Sequence, residues 1–549
     1  MTAIFQEEPL LQELVDTYVP KEHRPWAQKQ LQWLGSYVYN EMDRRAAFTD
    51  REGEPKLFKY DAYGREQSYV RVDEGYARTA ADIYGAGIVG GVFRDVPELG
   101  APTGYVFSFL QGYLVSQSEP GFYCPVTLTM ASAYLLDRYA EGEARAKFLP
   151  GVTALGEEKL EEGATFLTER QGGSDVGANA VEALPEPDRP GVYRLYGEKY
   201  FASNAGRAEV MMVLARTPES GGGSRGLSLF AVPWYEGADK NRLSIRRLKD
   251  KLGVRAVPSG EVEFDGAEAW MIGEETRGLS MMMEALNLSR VCNAAASAGI
   301  MRRAYREALQ YASGREAFGS RLTDFPMVQD TFTRLAVKLE AEVRTVFYTA
   351  DRFEAWTNGQ EEDAYLRLLV ALVKEESADQ AIHFAHEAVE MLGGNGYIED
   401  FVTPRLLRDA QVLTVWEGTR NILGLEVLRL MNKTGVHEQF FSRLLASFEA
   451  SGLEEAAVVK AMAEELEESC RGLLELPAAE QTRYVKPLMK KMVSLLEVQQ
   501  LLEAGAEDTA SMLIRMETMP RFDRGEGSWT LDEGMQRWQE DVERLKPEQ

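Results

Sequence analysis

GVYRLYGEKYFAS (191–203), VMMVLART (210–217), GLSLFAVPW (226–234), LSIRRL (243–248) and SGEVEF (259–264) are the runs on which the fold turns. Each is short, rich in Val, Leu, Tyr and Phe, and bounded by glycine, proline or a polar turn such as PESGGGSRG (218–226). That pattern predicts strands of an antiparallel β domain. Helical spacing rules on both sides of it. Upstream, LLQELVDTYV (10–19), WAQKQLQWLGSYVYNEM (26–42) and VTLTMASAYLLDRY (126–139) repeat apolar residues at helical intervals. The runs GAGIVGGVF (85–93) and PELGAPTG (97–104) break that pattern between them. Downstream, the long helical stretches 279–315, 327–357 and 365–392 predict a packed bundle. The first is longer than a typical globular helix and is expected to kink or split at Gly299. The helical tail beyond about 436 reads as a separate appendage. The predicted chain is therefore α+β: an N-terminal helical domain (1–162), a central β domain (163–276), a helical bundle (277–435) and an additional C-terminal helical domain (436–549).

Composition sets the outer bounds. The 549 residues are 45% hydrophobic and 27% charged, ordinary for a globular chain with several cores. A formal net charge of −26 opposes whole-molecule attraction to phosphate backbones or anionic lipid. Cys124, Cys292 and Cys470 are far apart, so neither a disulfide framework nor a thiolate metal site is expected. The four histidines are scattered; His383 and His386 could share a helix face, but HFAHE is not a metalloprotease signature. No metal is expected. The N-terminus MTAIFQEEPLLQELVDTYVP has no basic run and no continuous apolar stretch, and no window offers the roughly 20 apolar residues of a spanning helix. A soluble, cytoplasmic protein is the expectation.

Four stretches carry candidate chemistry. FLTERQGGSDVGANA (166–180) stands where helices give way to strands, and N–H groups near Gly172, Gly173 and Ser174 suit an anion; read alone, it equally suits a polar interdomain loop. GEKYFASNA (197–205) sets aromatic rings beside hydroxyl groups, as a planar heterocycle would require and as an ordinary strand and turn also allow. EMLGGNGYIED (390–400) places two glycines after a helix, the composition of a C-cap or of a close backbone approach. In LLRDAQVLTVWEGTRN (406–421), Glu417 lies between Trp416 and Gly418. A carboxylate partly desolvated by a neighbouring ring is a candidate general base, whereas most such glutamates are simply solvated.

In this order and at these intervals the four stretches resemble the acyl-CoA dehydrogenase family, over roughly residues 70–435. Within it, TERQGGSDV, RLKDKLGVRAVPSGEVEF, MLGGNGY and WEGTRNI look most like the AidB-type adaptive-response flavoproteins, as do the extended N-terminal part and the extra C-terminal helices. The resemblance implies non-covalently bound FAD in a homo-oligomer, commonly a tetramer. It implies abstraction of the α proton of an acyl-CoA thioester and passage of the β hydrogen to flavin as hydride, with electron-transfer flavoprotein as the usual acceptor. The family's base, which precedes the glycine of the WEG-like motif, lands on Glu417. An alternative family position lands on Ser289 beside Arg290, and serine cannot take that role. Carried over in the same way, Thr168 would bond the pyrimidine side of the isoalloxazine and Ser174 would lie by the pyrophosphate or substrate. Phe201 would pack on the flavin where the family usually has tryptophan, without the indole donor, and Ser203 stands for a threonine near N5 and O4. In REAFG (315–319), Arg315 would reach the pyrophosphate from a neighbouring subunit and Phe318 would pack near the adenine. Gly393 and Gly394 would let backbone approach the ADP part, and Thr419 and Asn421 would contact the cofactor below Glu417.

Two further classes compete with an acyl-CoA dehydrogenase: a DNA-associated protective flavoprotein of the AidB kind with weak dehydrogenase activity, and a flavin-bearing interaction protein without turnover. Charge speaks to the first. Residues 432–549 hold 23 Asp and Glu against 14 Lys and Arg, and the basic residues Arg483, Lys486, Lys490 and Lys491 form one local cluster. Duplex binding is therefore not expected, and retained Glu417 weighs against lost chemistry.

Overall fold

The computed structural model describes residues 8–156, 158–218, 220–236, 239–453 and 455–518. The start of the expected N-terminal domain and the part of the expected C-terminal domain beyond residue 518 lie outside them. Along the chain come α1 (Pro9–Tyr18), α2 (Arg24–Tyr37), α3 (Asp43–Arg51), the strands β1 (Lys56–Tyr60) and β2 (Glu66–Arg71), then α4 (Glu74–Gly85), α5 (Gly104–Ser116), α6 (Pro120–Tyr139) and α7 (Gly142–Val152). The strands β3 (Gly163–Phe166), β4 (Glu182–Pro185), β5 (Val192–Ser203), β6 (Val210–Arg216), β7 (Leu227–Pro233), β8 (Leu243–Leu248) and β9 (Ser259–Ile272) follow. Helices then dominate: α8 (Gly278–Gly314), a small hairpin β10 (Glu316–Ala317) and β11 (Ser320–Arg321), α9 (Pro326–Thr357), α10 (Asp363–Leu392), α11 (Thr403–Leu413), α12 (Arg420–Thr434), α13 (Val436–Ala450), α14 (Ala456–Leu474), α15 (Ala478–Glu503) and α16 (Glu507–Thr518). The architecture is α+β, with helices before the sheet, a helical bundle after it and extra helices at the end. Two compact units contain these elements: Tyr37–Cys292, and the residues up to Ser36 together with those from Asn293 onward.

In the first unit a seven-stranded sheet runs β8–β9–β5–β4–β6–β3, and β7 joins β9 to β6, so that the path curls back on itself. The hydrophobic runs form the strands β5 to β9. β5 pairs β9 with Ser203 opposite Ser259 and Lys199 opposite Val262, and β6 pairs β7 with Met212 opposite Ala231. The sheet is not wholly antiparallel. β3 runs parallel to β6, because the chain enters the sheet from α7 and reaches β6 only after passing through β4 and β5. β6 and β7 are buried on both faces, which explains their unbroken apolar sequence. One face fills the core with Phe166, Leu195, Val213, Phe230, Trp234 and Phe264. Helix α6 packs on β3 and β6, at a separation only glycine permits: a Cβ on Gly163 would stand 2.5 Å from Ser132 Oγ.

The hairpin β1–β2 interrupts an N-terminal region read mainly as helices with loops between them. KLFKY alternates exposed and half-buried residues, a period of two that the surrounding helical spacing obscures. Its inner face joins the sheet's core through Leu57 and Val70, and Ile245 N–H donates to Ser68 Oγ at 2.8 Å.

The second unit is helical. α8 continues unbroken through Gly299, contrary to the expected split; Ala298, Ile300 and Met301 around it are fully buried, and packing outweighs a glycine's modest helical penalty. The helices after residue 435 share this unit, with α15 packed on α9 and α12. A buried charge knot sits there. Lys338 Nζ of α9 lies 2.6 Å from Glu497 of α15, 2.9 Å from Glu376 of α10 and 3.2 Å from Glu342 of its own helix. Lys490 of α15 also pairs with Glu376, so one member of the basic cluster noted in the sequence is engaged by a buried carboxylate. The three carboxylates come close enough to hold a cation, and an ammonium already lies among them.

Candidate active site

Within Tyr37–Cys292 four of the marked residues lie on β5 and on the loop that follows β3. Thr168 follows β3, and Tyr200 N–H donates to its carbonyl at 2.9 Å. The loop after it turns at once: Glu169 and Gly172 form a β-bridge, and a Cβ on Gly173 would stand 2.6 Å from Thr168 Oγ1. Backbone without a side chain thus faces the Thr168 hydroxyl. Ser174 is exposed at the loop's tip. Phe201, on β5, is 57% exposed; Tyr200 packs on it edge-on and Lys249 Nζ lies over its ring, 4.8 Å from the centroid. Ser203 ends that strand with its Oγ 3.3 Å from Ser259 Oγ.

What fixes this loop was not marked by its sequence. Glu169 and Lys199 are both buried and pair at 2.8 Å. Glu169 also accepts from the N–H groups of Ala180 and Val181 at 2.6 and 3.2 Å. Burial pushes the Lys199 ammonium down to about 8, and Glu169 opposes that fall. Asn179 donates to the Leu167 carbonyl at 2.7 Å, and Arg216 caps the carbonyls of Gly177 and Asn179 at 2.6 and 2.7 Å. Both ends of the 168–181 segment are therefore anchored from below, while its glycine-rich middle stays open.

In the helical unit Glu417 occupies the short turn between α11 and α12. Its φ is 56° and that of Gly418 is 113°. Left-handed backbone at a non-glycine residue is uncommon and costs free energy. Two side chains from other helices meet the turn. Asn293 Nδ2 of α8 donates to Glu417 Oε2 at 2.8 Å and to the Leu413 carbonyl at 3.2 Å. Lys374 Nζ of α10 donates to the Gly418 carbonyl at 2.9 Å. Next to it Glu375 pairs with Arg420; burial raises the Glu375 carboxyl to about 7, against the pull of that arginine. Thr419 is the N-cap residue of α12, and it and Asn421 are exposed. Ser289, the alternative family position, is buried and donates its hydroxyl to the Ala285 carbonyl at 3.1 Å.

The remaining marked residues lie elsewhere in the same unit. Arg315 is exposed at the end of α8. Phe318 stands at the tip of the β10–β11 hairpin, φ 53°, with 99% of its surface exposed. Gly393 ends α10 at φ 60°, as the C-cap reading predicts. Gly393 and Gly394 are exposed, and a Cβ on either would meet nothing within 4 Å. Nearby, Asn395 donates to the Tyr311 hydroxyl at 3.2 Å, and Tyr397 is 82% exposed.

Helices, a curled sheet entered by TERQGGSDV, and a glutamate on a strained WEG turn define a class. The chain belongs to the acyl-CoA dehydrogenase family, in its AidB-type branch. The model of the acyl-CoA dehydrogenase C-terminal domain matches residues 276–431, that of the middle domain residues 164–267, and that of the adaptive response protein AidB N-terminal domain residues 2–155. The putative acyl-CoA dehydrogenase AidB of Escherichia coli is 32% identical over 403 residues, 70% of each chain. Among solved structures, ACDH-11 of Caenorhabditis elegans in complex with C11-CoA superposes with a TM-score of 0.83 at 25% identity, covering 94% of this chain and 91% of that one. The apo-form of Bd2924 also superposes at 0.83, with 28% identity and coverage of 92% and 98%. Among the described residues, no helix is long and apolar enough to cross a membrane.

Proposed function

We propose that the protein is an FAD-dependent acyl-CoA dehydrogenase that removes the α and β hydrogens of an acyl-CoA thioester, with Glu417 as the base. The observation that carries the reading is the Glu417 turn: a carboxylate held by a hydrogen bond on a left-handed residue is a side chain aimed by its surroundings. The residues of the sheet fit a flavin. Gly173 leaves bare backbone against the Thr168 hydroxyl, Phe201 offers a largely exposed aromatic ring, and Ser203 adds a hydroxyl on the same strand. Thr168, Ser174, Phe201 and Ser203 would hold the isoalloxazine side; Thr419, Asn421, Gly393 and Gly394 would contact the rest, with Arg315 and Phe318 serving a neighbouring copy. An aromatic ring as exposed as Phe318 favours burial against a partner, which supports a homo-oligomer, a tetramer on the family pattern.

FAD, when bound, supplies the two-electron acceptor for the hydride leaving the β carbon. The chain's own contribution is to take the α proton on a Glu417 oxygen and hold thioester and cofactor in line. Electron-transfer flavoprotein would accept the electrons. Nucleic acid has no place in this reading: the net charge is −26, and Lys490 of the basic cluster is engaged by Glu376. Glu417→Gln tests the assignment. The variant should keep its FAD and lose acyl-CoA-dependent bleaching of the flavin absorbance; full bleaching would remove Glu417 from the role.

A further inference from the structure

The Glu417 turn does not hold itself. A non-glycine residue at φ 56° followed by a glycine at 113° has no regular hydrogen-bond ladder to keep it there, and neither Glu417 nor Gly418 is deeply buried. Two side chains that are buried come to it from separate helices. Asn293 is 5% exposed and Lys374 1%. The Asn293 amide can face only one way. Its Nδ2 bridges the Glu417 carboxylate and the Leu413 carbonyl, both acceptors, while its Oδ1 is buried without a hydrogen-bond partner. Turning the amide over would set an acceptor 2.8 Å from a carboxylate oxygen and leave two donors unsatisfied. On the other side an ammonium that could have stayed in solvent is buried with a hydrogen bond to the Gly418 carbonyl. A buried cation is retained only where its bonds offset its lost hydration. The two contacts are complementary, since one addresses the carboxylate and the other the backbone on which it stands.

We propose that Asn293 and Lys374 are the positioning residues of this site, Asn293 fixing the direction of the Glu417 carboxylate and Lys374 fixing the left-handed turn beneath it. The proposal rests on the reading of Glu417 as the base. A donor on the ionised oxygen favours the carboxylate over the acid, so Asn293 also keeps Glu417 ready to receive a proton. Other ionisable groups on the elements around the turn include Arg290 on α8, Glu375 and Glu376 on α10, Arg405, Arg408 and Asp409 on α11, and Arg420 on α12. Their arrangement is common to all the variants below, so differences between variants report on Asn293 and Lys374.

The test uses the flavin-loaded full chain, C11-CoA as the probe, and the variants Asn293→Asp, Asn293→Ala, Lys374→Met and Glu417→Gln. Asn293→Asp is isosteric and preserves packing but loses the donor and adds a second carboxylate; Asn293→Ala loses packing and donor without adding charge. A positioning role therefore predicts that the aspartate variant bleaches more slowly than the alanine variant, whereas a packing role predicts the reverse order. The acid limb of the bleaching rate should rise by about one pH unit in Asn293→Ala, the size expected for one hydrogen bond to a charged group. In Lys374→Met the bleaching rate should fall about tenfold or more at every pH as the turn loosens. A second readout needs no turnover: in flavin-free protein, the carboxylic C=O infrared band that Glu417→Gln removes should titrate about one pH unit higher in Asn293→Ala. An aspartate variant as fast as the parent, or an unmoved band and limb in Asn293→Ala, overturns the role of Asn293; an unchanged rate in Lys374→Met overturns that of Lys374. Full bleaching by Glu417→Gln overturns the underlying reading, a result separate from either.

Discussion

Replacing Lys338 by methionine should loosen the extra C-terminal helices from the bundle far more than a surface change could. The side chain lies 2.6 Å from Glu497, 2.9 Å from Glu376 and 3.2 Å from Glu342, and all four residues are buried. Methionine fills nearly the same volume, so the packing loss is small, and the cost comes from carboxylates left in a dry interior. Lys490 still neutralises Glu376. Glu342 is already pushed well up by burial, despite the opposing pull of Lys338, and can keep its proton. Glu497 is then the uncompensated charge. Removing one partner of a buried pair costs about 3–5 kcal/mol, and a tenfold change in an opening equilibrium is about 1.4 kcal/mol. Amides of α15 that exchange through this opening should therefore exchange roughly 10²–10⁴ times faster at pH 8, as read by hydrogen exchange and mass spectrometry. The acceleration should shrink towards pH 5, where the stranded carboxyl can take a proton. Adding Glu497→Met to Lys338→Met should restore most of the protection, because an apolar pair of similar volume needs no charge balance. Unchanged exchange in α15 at pH 8 would refute the claim that this knot fastens the helices.

Two other outcomes follow from the first unit. Gly173→Ala would place a Cβ 2.6 Å from Thr168 Oγ1; flavin affinity should fall roughly tenfold, about 1.4 kcal/mol, with the melting temperature nearly unchanged, as measured by flavin release and calorimetry. Burial and the Glu162 charge raise the Glu209 carboxyl to about 7. A carboxyl whose folded pKa lies above its unfolded value contributes stability that is full below about 4.5 and is lost as pH rises through 7. Glu209→Gln should flatten that decline, by on the order of 1–3 kcal/mol between pH 5 and 8, in unfolding experiments across that range.

The fold was legible where the signal is local. The runs at 191–203, 210–217 and 226–234 announce strands because burial of their side chains matches a sheet, and the stretches from 279 onward announce helices by spacing. Pairing is not local, and the parallel course of β3 beside β6 depends on where the chain enters the sheet. KLFKYDAYGREQSYVR held an alternation and a DAYG turn that could have marked the β1–β2 hairpin amid helices. Gly299 shows the converse error, a local weakness overruled by burial on every side.

The candidate site divides in the same way. Thr168, Ser203 and Glu417 could be marked because their motifs are contiguous. Lys199, Asn293 and Lys374 could not, since each is an unremarkable residue of a strand or helix until a partner 30 to 124 positions away is brought to it. A lysine within an apolar helical run, as in LVALVKEES (369–377), is a sequence signal that could have marked Lys374, because such a side chain, once buried, must find a partner.

The most direct test of the central claim is an anaerobic titration of the purified, flavin-loaded protein with acyl-CoA thioesters of increasing chain length, following flavin absorbance. Bleaching in proportion to added thioester is expected for at least one chain length, with a matching trans-2-enoyl-CoA product. Flavin that stays fully oxidised across the whole series would contradict it.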